Sequence, residues 1–193
     1  LKNLLTLEEP QKLTSVRRGG AFGRPFFSSD GEWIYFTETG DLFRIRIEGG
    51  SAQSIGTPSF NWGGAEYDEI VLSVPSSGLV TTSPILGETL STTEQGIFAW
   101  PSFLPGGTHA LVTRLVNRDS VQSARIEIVD LENMTSKPLI ESAFNAKYAA
   151  SGHLVFARDA SLWAVPFDVD SLKILGDQVP VLSELESDGR RGT

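Results

Sequence analysis

Short apolar segments alternate with polar, glycine-rich turns along the chain, and the pattern occurs four times. The clearest copy has a polar turn and an apolar strand at 27–36 (FSSDGEWIYF), followed by a strand with alternating apolar residues at 41–50 (DLFRIRIEGG). Alternation with a period of two is typical of β-strands that bury one face. A repeat of this size predicts one supersecondary unit per copy, packed against its neighbours.

The copies align on an apolar residue near the end of their second strand, at spacings of about 36, 40 and 44 residues, in the range of propeller blades. These residues are Phe36, Leu72, Val112 and Phe156. In three copies a glycine falls in the preceding turn, where a positive φ is needed; these glycines are Gly31, Gly107 and Gly152. The second copy departs from this rule, and Gly63–Asp68 is predicted to form a longer turn.

Each copy continues with a third apolar strand and a short polar outer strand, which suits the exposed edge of a blade. The outer strands are predicted at Ala52–Ile55, Glu88–Leu90, Lys137–Ile140 and Gln178–Leu182. Four antiparallel strands per repeat predict an all-β fold, a β-propeller of four-stranded blades. The expected blades are 18–56, 57–95, 96–141 and 142–183.

The remaining residues indicate further blades. Residues 1–17 are interpreted as the end of a preceding blade and 184–193 as a connection to a next one. An open arc of about four blades leaves unpaired end faces, so a larger propeller of six or more blades is expected in the parent protein.

Composition limits the function classes. The chain is 40% hydrophobic and 21% charged, with no cysteine and a formal charge of −8. An acidic chain is a poor partner for nucleic acid, whose phosphates need clustered lysine and arginine. Disulfides and thiolate metal sites are excluded, and no apolar run approaches the roughly 20 residues of a membrane helix.

Several strings carry a family resemblance. The segment 27–36 resembles the FSPDG repeat of TolB-like propellers, also called WD40-like PD40 repeats, with Ser29 where that pattern usually has proline. The strings at 100–107 (WPSFLPGG), 151–156 (SGHLVF) and 162–168 (LWAVPFD) are similar to propellers fused to bacterial eukaryotic-type serine/threonine kinases. The resemblance covers nearly the whole chain. It implies a non-catalytic protein-interaction or sensing domain of a larger, membrane-tethered bacterial kinase, at the cell envelope or extracytoplasmic face of the membrane.

Two other functions stay open: the gating propeller of a prolyl-oligopeptidase-type serine peptidase, and a stand-alone scaffold of the cell envelope. A cytoplasmic location is the alternative to the envelope. The chain contains no kinase glycine-rich loop with its strand lysine, no His-Arg-Asp loop and no Asp-Phe-Gly. The segment itself is therefore predicted to carry no phosphoryl transfer.

Local motifs predict no catalytic, cofactor-binding or metal-binding residue. Gly49–Gln53 lacks the final glycine of a Gly-x-Ser-x-Gly nucleophile elbow and sits at a predicted turn. The only two histidines, His109 and His153, occupy near-equivalent repeat positions, which indicates turn chemistry rather than catalysis. Asp168–Asp170 lacks the further oxygens and glycine of a calcium loop.

The aromatic residues are mostly interpreted as packing between blades. Trp100 differs because it precedes a proline at the predicted start of an inner strand, near the face where propellers usually bind ligands. With Arg24 and Arg158 at comparable positions, Trp100 is predicted to belong to a contact surface for a protein or small-molecule partner.

Overall fold

The described residues form four antiparallel sheets, called blades I to IV in chain order, in the computed structural model. The residues described are 12–13, 25–38, 41–56, 63–68, 70–73, 79–83, 88–91, 97–115 and 123–183. Blade I contains β1 (Phe26–Phe27), β2 (Trp33–Glu38), β3 (Asp41–Arg46) and β4 (Gln53–Gly56). Blade II contains β5 (Gly64–Tyr67), β6 (Ile70–Ser73), β7 (Val80–Ser83) and β8 (Glu88–Ser91).

The last two blades have longer strands. Blade III contains β9 (Ile97–Phe103), β10 (His109–Leu115), β11 (Arg125–Asp130) and β12 (Thr135–Glu141). Blade IV contains β13 (Phe144–Ala149), β14 (His153–Arg158), β15 (Ser161–Asp168), β16 (Lys173–Ile174) and β17 (Val179–Leu182), with both β16 and β17 paired to β15. No helix occurs in these described ranges, so the prediction of an all-β chain of four-stranded antiparallel sheets is confirmed.

The first three strands of every blade lie in chain order, and the first strand lies at one edge. The first strands of successive blades contact one another, β1 with β5, β5 with β9, and β9 with β13. We call β1, β5, β9 and β13 the inner strands. This sequence of contacts makes them the common edge from which the four blades extend.

The core lies between consecutive blades because alternate residues of each strand point to opposite faces. Between blades III and IV, Leu111, Ile126 and Ile128 pack against Leu154 and Phe156, and each of the five is at most 1% exposed. The opposite face of blade III carries Val112 and Val129, which pack with Leu79 of blade II. Blade III is therefore buried on both faces.

The second blade corrects one prediction. Gly63–Asp68, expected as a long turn, instead supplies the inner strand β5, and the chain reverses at Asp68 with a φ of 47°. Aspartate tolerates this left-handed conformation better than most residues, so the turn can be tight. The strands proposed for residues 1–17 fall outside the described residues, apart from 12–13, which form no strand.

The turn glycines behave as predicted. Gly31, Gly107 and Gly152 have φ values of 75°, 70° and 79° in the turns before β2, β10 and β14. Gly107 is also constrained from outside, because a Cβ there would lie 2.5 Å from the ring of Tyr67 in blade II. This glycine therefore serves both the turn and the packing between two blades.

Candidate contact surface on the inner strands

Trp100 lies in the middle of β9 and not at the start of a strand. It is 6% exposed, and its ring centroid is 5.8 Å from that of Phe144 at the start of β13. Its φ is 48°, which is rare for a bulky residue and turns the ring toward the core. The indole therefore packs between blades III and IV.

Arg158 is held at the connection between the same two blades. Its Nε donates to the carbonyl of Ser142 and its Nη2 to the carbonyl of Glu141, both at 3.1 Å. The guanidinium also lies 5.3 Å from the ring centroid of Trp163. Trp100 and Arg158 thus both contact the segment 141–144, whereas Arg24 lies outside the described residues.

A β-bulge interrupts β9 and β13 at the same register position. In β9, Ala99 pairs with Thr113 and Ser102 with Leu111, so Trp100 and Pro101 together oppose one residue. In β13 the bulged pair is Asn145 and Ala146. Asn145 has a φ of 53°, close to that of Trp100. Non-glycine residues in this conformation store backbone strain, and such residues cluster at functional sites.

The second bulge is tied to the preceding blade through a side chain. The amide N–H of Asn145 donates to Oγ1 of Thr113 over 2.9 Å, and Thr113 is fully buried in β10. A bulge leaves a backbone group without its ladder partner, and an unsatisfied buried N–H is costly. The hydroxyl therefore satisfies the bulge and links blade IV to blade III.

Lys147 follows the bulge on β13 and reaches back to the neighbouring inner strand. Its ammonium donates to the carbonyl of Pro101 over 3.2 Å. The residue as a whole is exposed, but protein atoms crowd its ammonium, and this burial lowers the pKa of Lys147. An ammonium has three N–H donors, so donors remain for an incoming acceptor.

Glu66 occupies the equivalent position on β5, since it pairs with Val71 as Lys147 pairs with Val155. Its Oε2 accepts hydrogen bonds from the amide and hydroxyl of Ser29 in blade I, at 2.6 and 3.1 Å. Two inner strands thus use one position for a charged side chain that contacts the preceding blade. Sequence reasoning missed both residues, because neither belongs to a recognisable motif.

The other candidates lie where a structural role was predicted. Gly49 and Gly50, both with positive φ, form the turn between β3 and β4. Asp168 binds its own turn, because Oδ1 accepts from the amides of Asp170 and Ser171 and Oδ2 accepts from the Ser171 hydroxyl. These bonds lower the pKa of Asp168, with the hydroxyl of Ser171 the largest cause.

The inner strands combine strained backbone with charged side chains. In the part of the chain that the structure describes, no three carboxylate or imidazole side chains are placed to hold a metal ion. No helix of these residues is long and apolar enough to cross a membrane. What the inner strands offer is strained backbone at two bulges and a lysine with spare donors, an arrangement suited to holding a partner.

No protein-family model matches the chain, and no curated protein matches it. Solved structures do. TolB from Acinetobacter baumannii superposes with a TM-score of 0.70 at 14% identity, covering 92% of this chain and 47% of that one. The β-propeller domain of Cps50 (Swd1) from Myceliophteria thermophila gives 0.61 at 13% identity, covering 91% and 60%. A luciferin-regenerating enzyme gives 0.60 at 7% identity, covering 85% and 61%.

The fold is therefore a TolB-like, WD40-like β-propeller. Identities this low show the fold alone, and the chain spans about half the length of the TolB chain it matches. One of these three structures is an enzyme, so the fold by itself does not separate binding from catalysis. The distinction between a binding and a catalytic function therefore depends on the side chains of this protein.

Proposed function

We propose that this chain is a non-catalytic TolB-like propeller that acts as a protein-interaction or sensing domain of a larger bacterial protein, a membrane-tethered serine/threonine kinase. The propeller would lie on the extracytoplasmic side of the membrane. The observation that carries the proposal is the pair of register-equivalent bulges on β9 and β13, with Lys147 beside them. Such a surface recognises a partner through backbone and charge without performing chemistry on it.

Support for binding rather than catalysis comes from polar side chains that connect neighbouring blades. Thr113, Glu66 and Arg158 each hold a backbone group of an adjacent blade or connection. Side chains that satisfy backbone groups fix the shape of a surface. A rigid surface binds with a smaller loss of conformational entropy than a mobile one.

Photocrosslinking from the inner strands tests this function. A photoreactive phenylalanine analogue at Ser102 on β9 is expected to capture a partner in the producing bacterium, and one at Glu48, in the outer turn after β3, is not. Lys147→Gln should reduce capture at Ser102 without lowering the melting temperature by more than a few degrees. Equal capture from both positions would contradict an inner-strand surface.

The complete coding sequence distinguishes the kinase from its alternatives. A kinase catalytic loop upstream, followed by a membrane span, is the expected result. A Gly-x-Ser-x-Gly elbow downstream would instead make the propeller the substrate gate of a prolyl-oligopeptidase-type peptidase. A secretion signal with neither catalytic domain would favour a stand-alone envelope scaffold.

A further inference from the structure

A small cavity lies on the outer half of blade III, where β11 turns into β12. Its volume is about 190 Å³, and it is lined by His109, Ile128, Asp130, Thr135, Ser136 and Lys137. Water occupies about 30 Å³ per molecule, so the space corresponds to roughly six waters. It is smaller than the roughly 300–1,000 Å³ of a drug-sized pocket and suits an ion or a very small molecule.

Strand register explains how these side chains come together. Asp130 pairs with His109 on one side and with Thr135 on the other, and Ile128 pairs with Lys137. Residues directly opposite each other in antiparallel strands project to the same face of the sheet. Ile128 is 1% exposed and forms an apolar floor, and the polar groups surround it.

Asp130, the acidic residue among those lining the cavity, accepts hydrogen bonds from the turn that follows it. Oδ1 of Asp130 accepts from the amides of Glu132 and Asn133, at 2.9 and 3.2 Å, and Oδ2 accepts from the side-chain amide of Asn133 at 2.9 Å. The bonds from Asn133 are the largest causes of a lowered Asp130 pKa, and His109 adds a smaller attraction. The carboxylate is therefore ionised and largely compensated by donors.

The basic groups of the cavity keep donors available. Lys137 is exposed on β12, and no described residue accepts a hydrogen bond from its ammonium. The imidazole of His109 has Nδ1 3.0 Å from the Thr108 hydroxyl, which leaves Nε2 for another contact. An ammonium, an imidazole and the Thr135 hydroxyl are all groups that donate to oxyanions.

We propose that this cavity binds a small oxyanion, a carboxylate or a phosphate group, between Lys137 and His109. The floor of Ile128 excludes water from one side of the ion, which strengthens charge-assisted hydrogen bonds to it. A metal ion fits less well, since the oxygens of Asp130 are occupied. The site is separate from the inner strands and does not depend on the proposed function.

The two histidines of the chain provide a probe and its control. His153 is the first residue of β14, as His109 is of β10, but it faces Pro166 where His109 faces Asp130. Proton NMR of the two imidazole signals, assigned with a His153→Gln variant, reports on both positions in one sample. The titrants are inorganic phosphate and acetate, each at an ionic strength held constant with sodium chloride.

The expected result is a saturable shift of the His109 signal and a stationary His153 signal. The titrant that saturates at the lower concentration identifies phosphate or carboxylate as the preferred group. Lys137→Gln should weaken the binding at least about tenfold, as expected for loss of a charge-assisted hydrogen bond. Lys173→Gln, at an exposed lysine of blade IV, is the control and should leave it unchanged.

Three results would overturn the site. The first is an unmoved His109 signal with either titrant. The second is a parallel drift of both histidines, which indicates a general salt effect. The third is equal weakening by Lys137→Gln and Lys173→Gln, which shows that only net charge matters.

Discussion

At the scale of single residues, a few polar side chains connect neighbouring blades at their inner edge. Thr113 satisfies the amide of Asn145, Lys147 donates to Pro101, and Glu66 accepts from Ser29. Each bond joins two blades that share no continuous strand ladder. These residues therefore determine how adjacent blades are positioned, beyond the apolar packing of their faces.

Replacing Thr113 by valine tests the best defined of these connections. Valine keeps the shape of threonine but cannot accept the Asn145 amide, and an unsatisfied buried N–H costs about 1–3 kcal/mol. We expect Thr113→Val to lower the free energy of unfolding by that amount in urea denaturation. Thr113→Ser, which retains the hydroxyl, should be closer to the original protein, and the reverse order would contradict a hydrogen-bonding role.

The lowered pKa of Lys147 predicts a pH dependence at alkaline pH. At pH values between the lowered pKa of Lys147 in the folded protein and its ordinary value of 10.5, Lys147 is protonated in the unfolded chain and largely deprotonated in the folded one. The contribution of Lys147 to stability therefore rises with pH across this window. As the pH rises across this window, the melting temperature of the original protein should increase relative to that of Lys147→Met. Lys173→Met is the control. A constant difference between the original protein and Lys147→Met would contradict the burial of the ammonium.

The sequence indicated the structural roles of some of these residues and not of others. A hydroxyl follows the aligned apolar residue in three of the four copies, at Thr37, Ser73 and Thr113, and this signal could have identified the connection. Lys147 has no such signal, because its surroundings depend on a carbonyl 46 residues earlier. Trp100 was expected at the surface because its proline was interpreted as the start of a strand and not as part of a bulge.

At the scale of elements, the bulge in β13 yields a prediction about backbone strain. The backbone of Asn145 adopts the left-handed conformation, which costs alanine about 1 kcal/mol and costs glycine little. We expect Asn145→Gly to be more stable than Asn145→Ala by about that amount. At Asn133, whose φ is not positive, glycine should have no such advantage over alanine, and the same preference at both sites would contradict local strain.

The middle strands of each blade were predictable and the inner strands were less so. The outer strand predicted at Gln178–Leu182 corresponds to β17 (Val179–Leu182). The inner strand β5 was missed since Gly64–Tyr67 has little apolar alternation and resembles a turn. A proline inside β9 was an available signal, because proline within a sheet favours edges and bulges.

At the scale of the molecule, the repeat specified the fold while the function had no comparable signal. Four copies with matching turns predict the same blade four times, so errors in one copy are corrected by the others. The proposed contact surface lies where different copies meet, at residues that differ between them, such as Glu66 and Lys147. No periodic pattern marks residues of this kind.

Distances between pairs of labelled residues test whether the blades radiate from a shared inner edge. The chain has no native cysteine, so pairs of introduced cysteines can carry spin labels for a distance measurement. One pair joins Ser102 on β9 to Lys147 on β13, and the other joins Lys137 on β12 to Val179 on β17, so both pairs lie at the same register level of their blades. The propeller arrangement predicts a shorter distance for the inner pair than for the outer pair. Equal distances, as in sheets stacked about 10 Å apart throughout, would contradict it.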